Sequence, residues 1–420
     1  MNKLKNFIKK SVCALVTLGI VFGSMLCLTA CKKPVTNFST DKVTGNGGIG
    51  VVVDGYYYFI NGATNKTVLK YVTNNEGAIM RYKLTTDGNL PEDTEPELVY
   101  KAIAGFKNGS LYAFGDYLYF ATPSTKKAST GVTATELTDF NRVKLDGTDF
   151  ARLYTTTTSG AVDYGYYKIG DNDLAIIVFE DSTITEVKVG SKIKATTYAE
   201  EVSSAVFASD TTIGGAANYF FYTKTPDKDA VTQIGTEVYR GEAGKEATLI
   251  STGKDISLVG NYFGYLYYTE NSCVYRTKAT EGMSGASVVS YAELKGAVYT
   301  EDGGFVSLAT KNEKKYDVMY YNWSSGSLVS RRLAKEINVT LHKVVGGKLY
   351  LVNENNKLVS LNIADTDAVP ASVSGSAVYF DNKKMELERV GNKVIFLNKV
   401  ITTNDSGDEV TNYYIETANA

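Results

Sequence analysis

A short strand rich in tyrosine recurs eight times along these 420 residues, and it constrains the fold more than any other feature. Each copy begins at a Gly, Asp or Asn and runs into large apolar residues. The clearest are Asp54-Gly-Tyr-Tyr-Tyr-Phe59, Gly115-Asp-Tyr-Leu-Tyr-Phe120 and Gly264-Tyr-Leu-Tyr-Tyr268. Asn218-Tyr-Phe-Phe-Tyr222, Gly347-Lys-Leu-Tyr-Leu351 and Gly391-Asn-Lys-Val-Ile-Phe396 share the form; Asn172-Asp-Leu-Ala-Ile-Ile177 and Gly303-Gly-Phe-Val-Ser-Leu308 are weaker copies without tyrosine. The copies start near residues 55, 115, 171, 218, 264, 303, 347 and 391, at intervals of 39 to 60.

Around each copy the chain spells further strands. Alternating segments such as Ile79-Met-Arg-Tyr-Lys-Leu84, Phe140-Asn-Arg-Val-Lys-Leu145, Glu237-Val-Tyr-Arg240 and Cys273-Val-Tyr-Arg-Thr277 follow the aromatic strand, as a half-covered strand requires. Asp-Gly turns at Asp87-Gly88 and Asp146-Gly147 lead into third segments, Glu97–Tyr100 and Ala151–Tyr154. Apolar runs before the aromatic strand, such as Gly50–Val53 and Leu341–Val345, complete four strands per unit. A four-stranded unit of about 40–50 residues is the size of a β-propeller blade. No single unit covers both of its faces, and ring closure covers them all. The chain is therefore expected to be all-β, a propeller of four-stranded blades over residues 48–420. Eight aromatic strands predict eight blades, with seven the alternative. The last unit is one strand short after Asn412–Glu416, and residues near Asn37–Val43 are expected to supply it, closing the ring with strands from both chain ends.

The first thirty residues have a different character. Lys3, Lys5, Lys9 and Lys10 precede a nearly continuous apolar run from Ser11 to Leu26, the pattern of a secretion signal and short for a membrane span. Leu28-Thr29-Ala30-Cys31 resembles the lipobox of bacterial lipoproteins. That resemblance implies cleavage between Ala30 and Cys31 and a diacylglyceryl group on the Cys31 thiol; two acyl chains give stable anchoring where one gives only marginal binding. Residues 31–47 would then form a flexible tether, and the domain would sit outside the cytoplasmic membrane. An uncleaved transmembrane anchor is the other reading.

A second resemblance concerns the repeat. Gly115–Phe120 followed by Asn141-Arg-Val-Lys-Leu-Asp-Gly-Thr148 resembles the Tyr-rich propeller repeats of bacterial surface lipoproteins of unknown function. These are distantly similar to the YWTD propellers of the lipoprotein-receptor family. The match is strongest over residues 54–100 and 115–154, and the YWTD tetrapeptide itself is absent. The resemblance implies a propeller outside the cytoplasm and no catalytic residues.

Charge and composition bound the partners. Loss of residues 1–30 removes four lysines and no acids, taking the formal charge from −2 to −6. A mildly acidic domain without a basic tract is a poor nucleic-acid binder. Of four cysteines, Cys13 and Cys27 leave with the signal and Cys31 is lipidated; Cys273 alone remains, expected to pack inside its blade. The single histidine, His342, has no nucleophile elbow to serve and, with Cys273, too few partners for a zinc site. Acidic runs at Asp87–Glu97 and Asp405–Glu409 lack the spacing of a calcium loop. No cofactor motif is present. The tyrosines are expected to fill the spaces between blades, while Trp323, in Tyr321-Asn-Trp-Ser-Ser-Gly326, is the aromatic singled out as a ligand contact. The expectation is a non-enzymatic module that binds a protein, peptide or wall glycan. The alternative is a polysaccharide hydrolase or lyase using channel carboxylates.

Overall fold

A computed structural model describes residues 40–45, 48–61, 77–92, 94–101, 110–124, 137–159, 162–208, 218–225, 235–312, 314–378, 387–403 and 407–420. The described residues form eight antiparallel sheets and, apart from one short 3-10 turn at Met283–Gly285, no helix. β1 (Thr40–Thr44) precedes the blades. Blade 1 is β2 (Gly50–Val53), β3 (Tyr56–Ile60), β4 (Ile79–Lys83) and β5 (Glu97–Tyr100). Blade 2 is β6 (Tyr112–Gly115), β7 (Tyr117–Pro123), β8 (Thr138–Lys144) and β9 (Ala151–Thr155). Blade 3 is β10 (Asp163–Lys168), β11 (Leu174–Glu180), β12 (Thr183–Val189) and β13 (Ile193–Ala199). Blade 4 is β14 (Val202–Val206), β15 (Tyr219–Lys224), β16 (Thr236–Glu242) and β17 (Thr248–Gly253). Blade 5 is β18 (Ser257–Tyr262), β19 (Tyr265–Glu270), β20 (Cys273–Lys278) and β21 (Ser287–Ser290). Blade 6 is β22 (Val298–Tyr299), β23 (Phe305–Asn312), β24 (Lys315–Ser324) and β25 (Ser327–Ile337). Blade 7 is β26 (Val339–Val345), β27 (Lys348–Asn353), β28 (Lys357–Asn362) and β29 (Ala371–Ala377). Blade 8 is β30 (Leu387–Val390), β31 (Lys393–Thr403) and β32 (Glu409–Asn419). The result is an eight-bladed β-propeller, with the first strands of neighbouring blades in contact around its axis.

Every aromatic strand read from the sequence is the second strand of a blade, the two weak copies included. Side chains alternate along a strand, so one second strand faces two neighbours. Tyr58 and Ile60 pack toward blade 2, with Leu118, Phe120 and Val143. Tyr57 and Phe59 pack the other way, against Val390, Ile395 and Ile415 of blade 8. In blade 2, Leu118 and Phe120 turn toward blade 1 while Tyr119 and Ala121 meet Tyr166, Ile176 and Val178 of blade 3. The same division holds for Phe220 and Phe221 in blade 4, Tyr267 and Tyr268 in blade 5, and Tyr350 and Leu351 in blade 7. Eight such apolar clusters account for the eight interfaces of the ring. Tyr57, Tyr58, Tyr166, Tyr167, Tyr267 and Tyr350 are among the largest fully buried side chains.

Two expectations about the chain ends are corrected. β1 does not complete blade 8. It pairs antiparallel with β6 on the inner edge of blade 2, with Thr40 opposite Gly115 and Thr44 opposite Ala113. It also contacts β2 and β10, the first strands of the blades on either side. Val43 is buried with Tyr112 and Tyr166, and a Cβ on Gly45 would come within 2.5 Å of the Tyr112 ring. The segment expected to be a flexible tether, 31–47, therefore contains a strand of the domain. Among the described residues blade 8 has three strands, and it meets blade 1 through side chains instead of a shared sheet.

Tyr119 is 3% exposed within the blade 2–blade 3 cluster, where burial pushes its phenol up to about 12. Tyr119→Ala is expected to destabilise the domain by about 3 kcal/mol or more in urea denaturation; a loss under about 1 kcal/mol would show that this ring is not interface core.

Candidate functional site

The two ends of the ring differ in how their strands are joined. At one end lie the turns between first and second strands, with β2 and β3 linked by 54–55 and β26 and β27 by 346–347. The connections between third and fourth strands share that end, from the short Asp146–Thr148 turn to 84–96 of blade 1, and the first-to-second connection of blade 4 there spans 207–218. Second-to-third connections occupy the other end; those of blades 1, 2 and 4 run over 61–78, 124–137 and 225–235, and those of blades 3, 5 and 7 over only 181–182, 271–272 and 354–356. Long surface connections on a rigid ring are where binding residues concentrate.

The end with the first-to-second connections carries a belt of arginines that the sequence repeat contains without disclosing its purpose. Arg81, Arg142, Arg240 and Arg276 stand on third strands, opposite Tyr58, Tyr119, Phe221 and Tyr267 of the second strands. Each guanidinium lies over the tyrosine two residues earlier: Tyr56 at 4.9 Å, Tyr117 at 4.4 Å, Tyr219 at 5.0 Å and Tyr265 at 4.4 Å from the ring centre. Three of the four also cross to the next blade. Arg81 Nη1 donates to the Leu145 carbonyl at 3.2 Å, Arg240 Nη1 to that of Thr280 at 2.5 Å, and Arg276 Nη1 to that of Gly303. Arg331 on β25 repeats the device over Tyr320, donating to the Ile363 carbonyl beside a groove of about 420 Å³. A planar guanidinium both stacks on a ring and donates in its own plane, which an ammonium does not.

Trp323 belongs to this belt. It is a half-buried residue of β24 opposite Leu328, two residues ahead of the Ser325–Gly326 turn. Arg276 lies between its ring, 3.0 Å from the centre, and that of Tyr265, and Phe305 packs beside it. The residue singled out as a ligand contact is thus engaged in the blade 5–blade 6 interface.

Ionisable groups elsewhere are dispersed. Glu388, on the first strand of blade 8, is buried and accepts the Tyr57 hydroxyl beside Gly50, where a Cβ would strike both side chains. Burial pushes its carboxyl up, against the opposing pull of the Tyr57 hydroxyl and Lys343. Lys343 itself donates to the Leu387 carbonyl at 2.9 Å. Glu180 binds the Tyr154 hydroxyl and the Thr157 and Thr158 amides. Asp302 binds Thr300, Tyr320 and the Gly304 amide, and these bonds hold its carboxyl below the usual range against the cost of burial. His342 lies on β26, where burial first and then Lys343 push its imidazole down to about 4. Cys273 is half-buried at the start of β20, opposite Glu270, and not enclosed within its blade. In the acidic run of blade 1, Glu97 pairs with Arg81 at 2.8 Å. Among the described residues no three His, Cys, Asp or Glu side chains converge as metal ligands would. Ala30 and Cys31 lie outside the described residues.

No family model matches the chain, and no curated protein matches it. Among solved structures, Porphyromonas gingivalis dipeptidyl peptidase 4 is similar at 9% identity and a TM-score of 0.50, over 90% of this chain and 65% of that one. A post-proline cleaving enzyme from Rickettsia typhi matches at 12% identity and a TM-score of 0.45, over 87% of this chain and 57% of its own. An oligogalacturonate lyase in complex with manganese matches at 11% identity and a TM-score of 0.42, over 86% and 98%. The chain thus spans about three-fifths of the two peptidases. Identities this low establish a shared fold and nothing finer. The expectation of a non-enzymatic chain is corrected: the dipeptidyl peptidase that shares this fold is an enzyme, so the lack of a nucleophile elbow in a propeller does not set catalysis aside.

The belt generates a stability prediction. Arg276→Lys is expected to cost about 2 kcal/mol, the scale of a lost charge-assisted hydrogen bond. Trp323→Ala should cost less in that background than in the wild type. Additive losses in a urea-denaturation double-mutant cycle would show that the Trp323–Arg276 contact carries no energy.

Proposed function

We propose that the chain is a lipid-anchored β-propeller, held outside the cytoplasmic membrane, that binds an extracytoplasmic protein, peptide or wall glycan. The binding part of this reading is carried by three long second-to-third connections, 61–78, 124–137 and 225–235, which leave the ring at the end away from the arginine clamps. The anchoring part rests on the Lys-rich start, the apolar run to Leu26 and the lipobox Leu28–Cys31. A mildly acidic surface without a basic tract favours polar or neutral partners over nucleic acid. The likeness to Tyr-rich propeller repeats of surface lipoproteins points the same way.

Cys31→Ala is expected to abolish lipid labelling and release from the signal. Full labelling of that variant would refute anchoring at Cys31. For binding, the protein is screened against wall glycans and extracellular polysaccharides, with retention and product formation read separately. The reading expects retention that is lost when the 124–137 connection is shortened. Turnover of a polymer would replace binding with catalysis as the function, since the fold also occurs in enzymes.

A further inference from the structure

We infer that the chain pairs with a second copy of itself through the outer edge of β32, joining the two eighth blades into one continuous sheet. Blade 8 differs from the other seven at its rim. In blades 1 to 7 the fourth strand is outermost, and in every one its pairing with the third strand shifts register. The extra residue lies on the outer strand, as Val99 does between the partners of Ile79 and Met80, and Ile250 between those of Val238 and Tyr239. A bulge twists and interrupts an edge, one of the ways in which sheets avoid pairing with other chains. Among the described residues blade 8 ends at β32, its third strand. β32 pairs with β31 along its whole length without a shift, from Glu409 opposite Thr403 to Asn419 opposite Lys393. It contains no Lys, Arg or Pro, the residues that otherwise blunt an edge. Seven edges are interrupted; the eighth is long and regular.

The backbone fixes which residues of β32 face outward. The Ala420 amide donates to the Asn392 carbonyl at 2.8 Å, so the N–H and C=O groups of even-numbered residues point toward β31. Those of the odd-numbered residues, from Glu409 to Asn419, point away from it. Two antiparallel copies of the strand overlap fully about a two-fold axis at Tyr414. That register sets odd residues against odd ones: Glu409 against Asn419, Thr411 against Thr417, and Tyr413 against Ile415. Each outward residue brings one donor and one acceptor, about twelve bonds in all. Between them Asn412 meets Glu416, and Tyr414 meets itself. No acid stands opposite an acid. Thr–Thr, aromatic–β-branched and aromatic–aromatic pairs are the ones that stabilise antiparallel strands. Sliding the copies by two residues either way sets Glu416 against Val410 or Tyr414 and shortens the ladder. A strand that complements itself about one axis meets the requirement of an isologous dimer.

Light scattering of the full chain in detergent is expected to give the mass of a dimer. Thr411→Pro removes one outward amide and leaves the ladder to β31 intact, since an edge strand tolerates proline where its amide faces out. The substitution should weaken the dimer by about tenfold or more with the circular dichroism spectrum unchanged. Position 414 faces itself across the axis in a non-hydrogen-bonded pair, with Cα atoms about 4.5 Å apart and within reach of a disulfide. In a Cys273→Ser background, mild oxidation of Tyr414→Cys should therefore link the two copies above the level of that parent. Val410→Cys should not, because its two copies lie about 27 Å apart. A monomeric wild-type chain would overturn the proposal, and so would a dimer that Thr411→Pro leaves as tight as before. Linkage at 410 in preference to 414 would overturn the register, and with it the two-fold pairing.

Discussion

Each second strand of this propeller belongs to two interfaces at once, and the ring depends on that. Successive side chains of a strand point to opposite faces, so Tyr57 and Tyr58, adjacent in sequence, fill the spaces on either side of blade 1. The spaces between blades are wide enough for aromatic rings, and a strand that must fill both needs large side chains in succession. Hence the doublets and triplets of tyrosine and phenylalanine, where a sheet with one wet face would alternate with polar residues. Tyrosine adds a hydroxyl that can reach a partner near the edge of the packing, as Tyr57 reaches Glu388 and Tyr267 reaches the Gly303 carbonyl at 3.0 Å. Between blades 8 and 1 the ring is closed by such packing together with the Tyr57–Glu388 hydrogen bond and one from the Asn392 amide to Asn89 Oδ1, in place of the shared strand expected there.

The arginine belt extends this logic from packing to hydrogen bonding. Arg81, Arg240 and Arg276 satisfy carbonyls of the next blade that leave their own sheets at the turn. Their tyrosine partners shield them partly from water, where a charge-assisted bond is stronger. Trp323 enlarges one of these stacks. In sequence an exposed aromatic and a structural cation–π partner look alike until the neighbouring strand is seen. The functional reading consequently moves from single residues to the long connections between second and third strands.

Much of the fold was legible because the repeat encodes local, two-residue periodicity together with turns. All eight second strands, the third strands at Ile79, Phe140, Glu237 and Cys273, and the first strand at Gly50 fall where the pattern put them. β1 was misplaced for a physical reason. Thr40-Asp-Lys-Val-Thr44 has a single large apolar residue, so its own sequence selects no partner, and pairing is decided by the cleft that Tyr112 and Tyr166 leave for Val43. The arginines were visible at matching repeat positions, yet their targets are carbonyls on another blade, which no spacing within one blade reveals. Catalysis was set aside on motifs alone, although a peptidase shares this fold and carboxylate geometry is a property of the fold.

Strands whose side chains fill the interfaces on both sides of a blade are the part of the molecule least able to open without losing the whole ring. Native-state hydrogen exchange measures this most directly. If second-strand side chains are shared by both interfaces, the amides of β3, β7, β11, β15, β19, β23 and β27 exchange only through global unfolding, whereas those of the outer strands β5, β13, β17 and β21 exchange through local opening. Exchange of the second strands at the rate of the outer ones would contradict a ring held together by its aromatic strands.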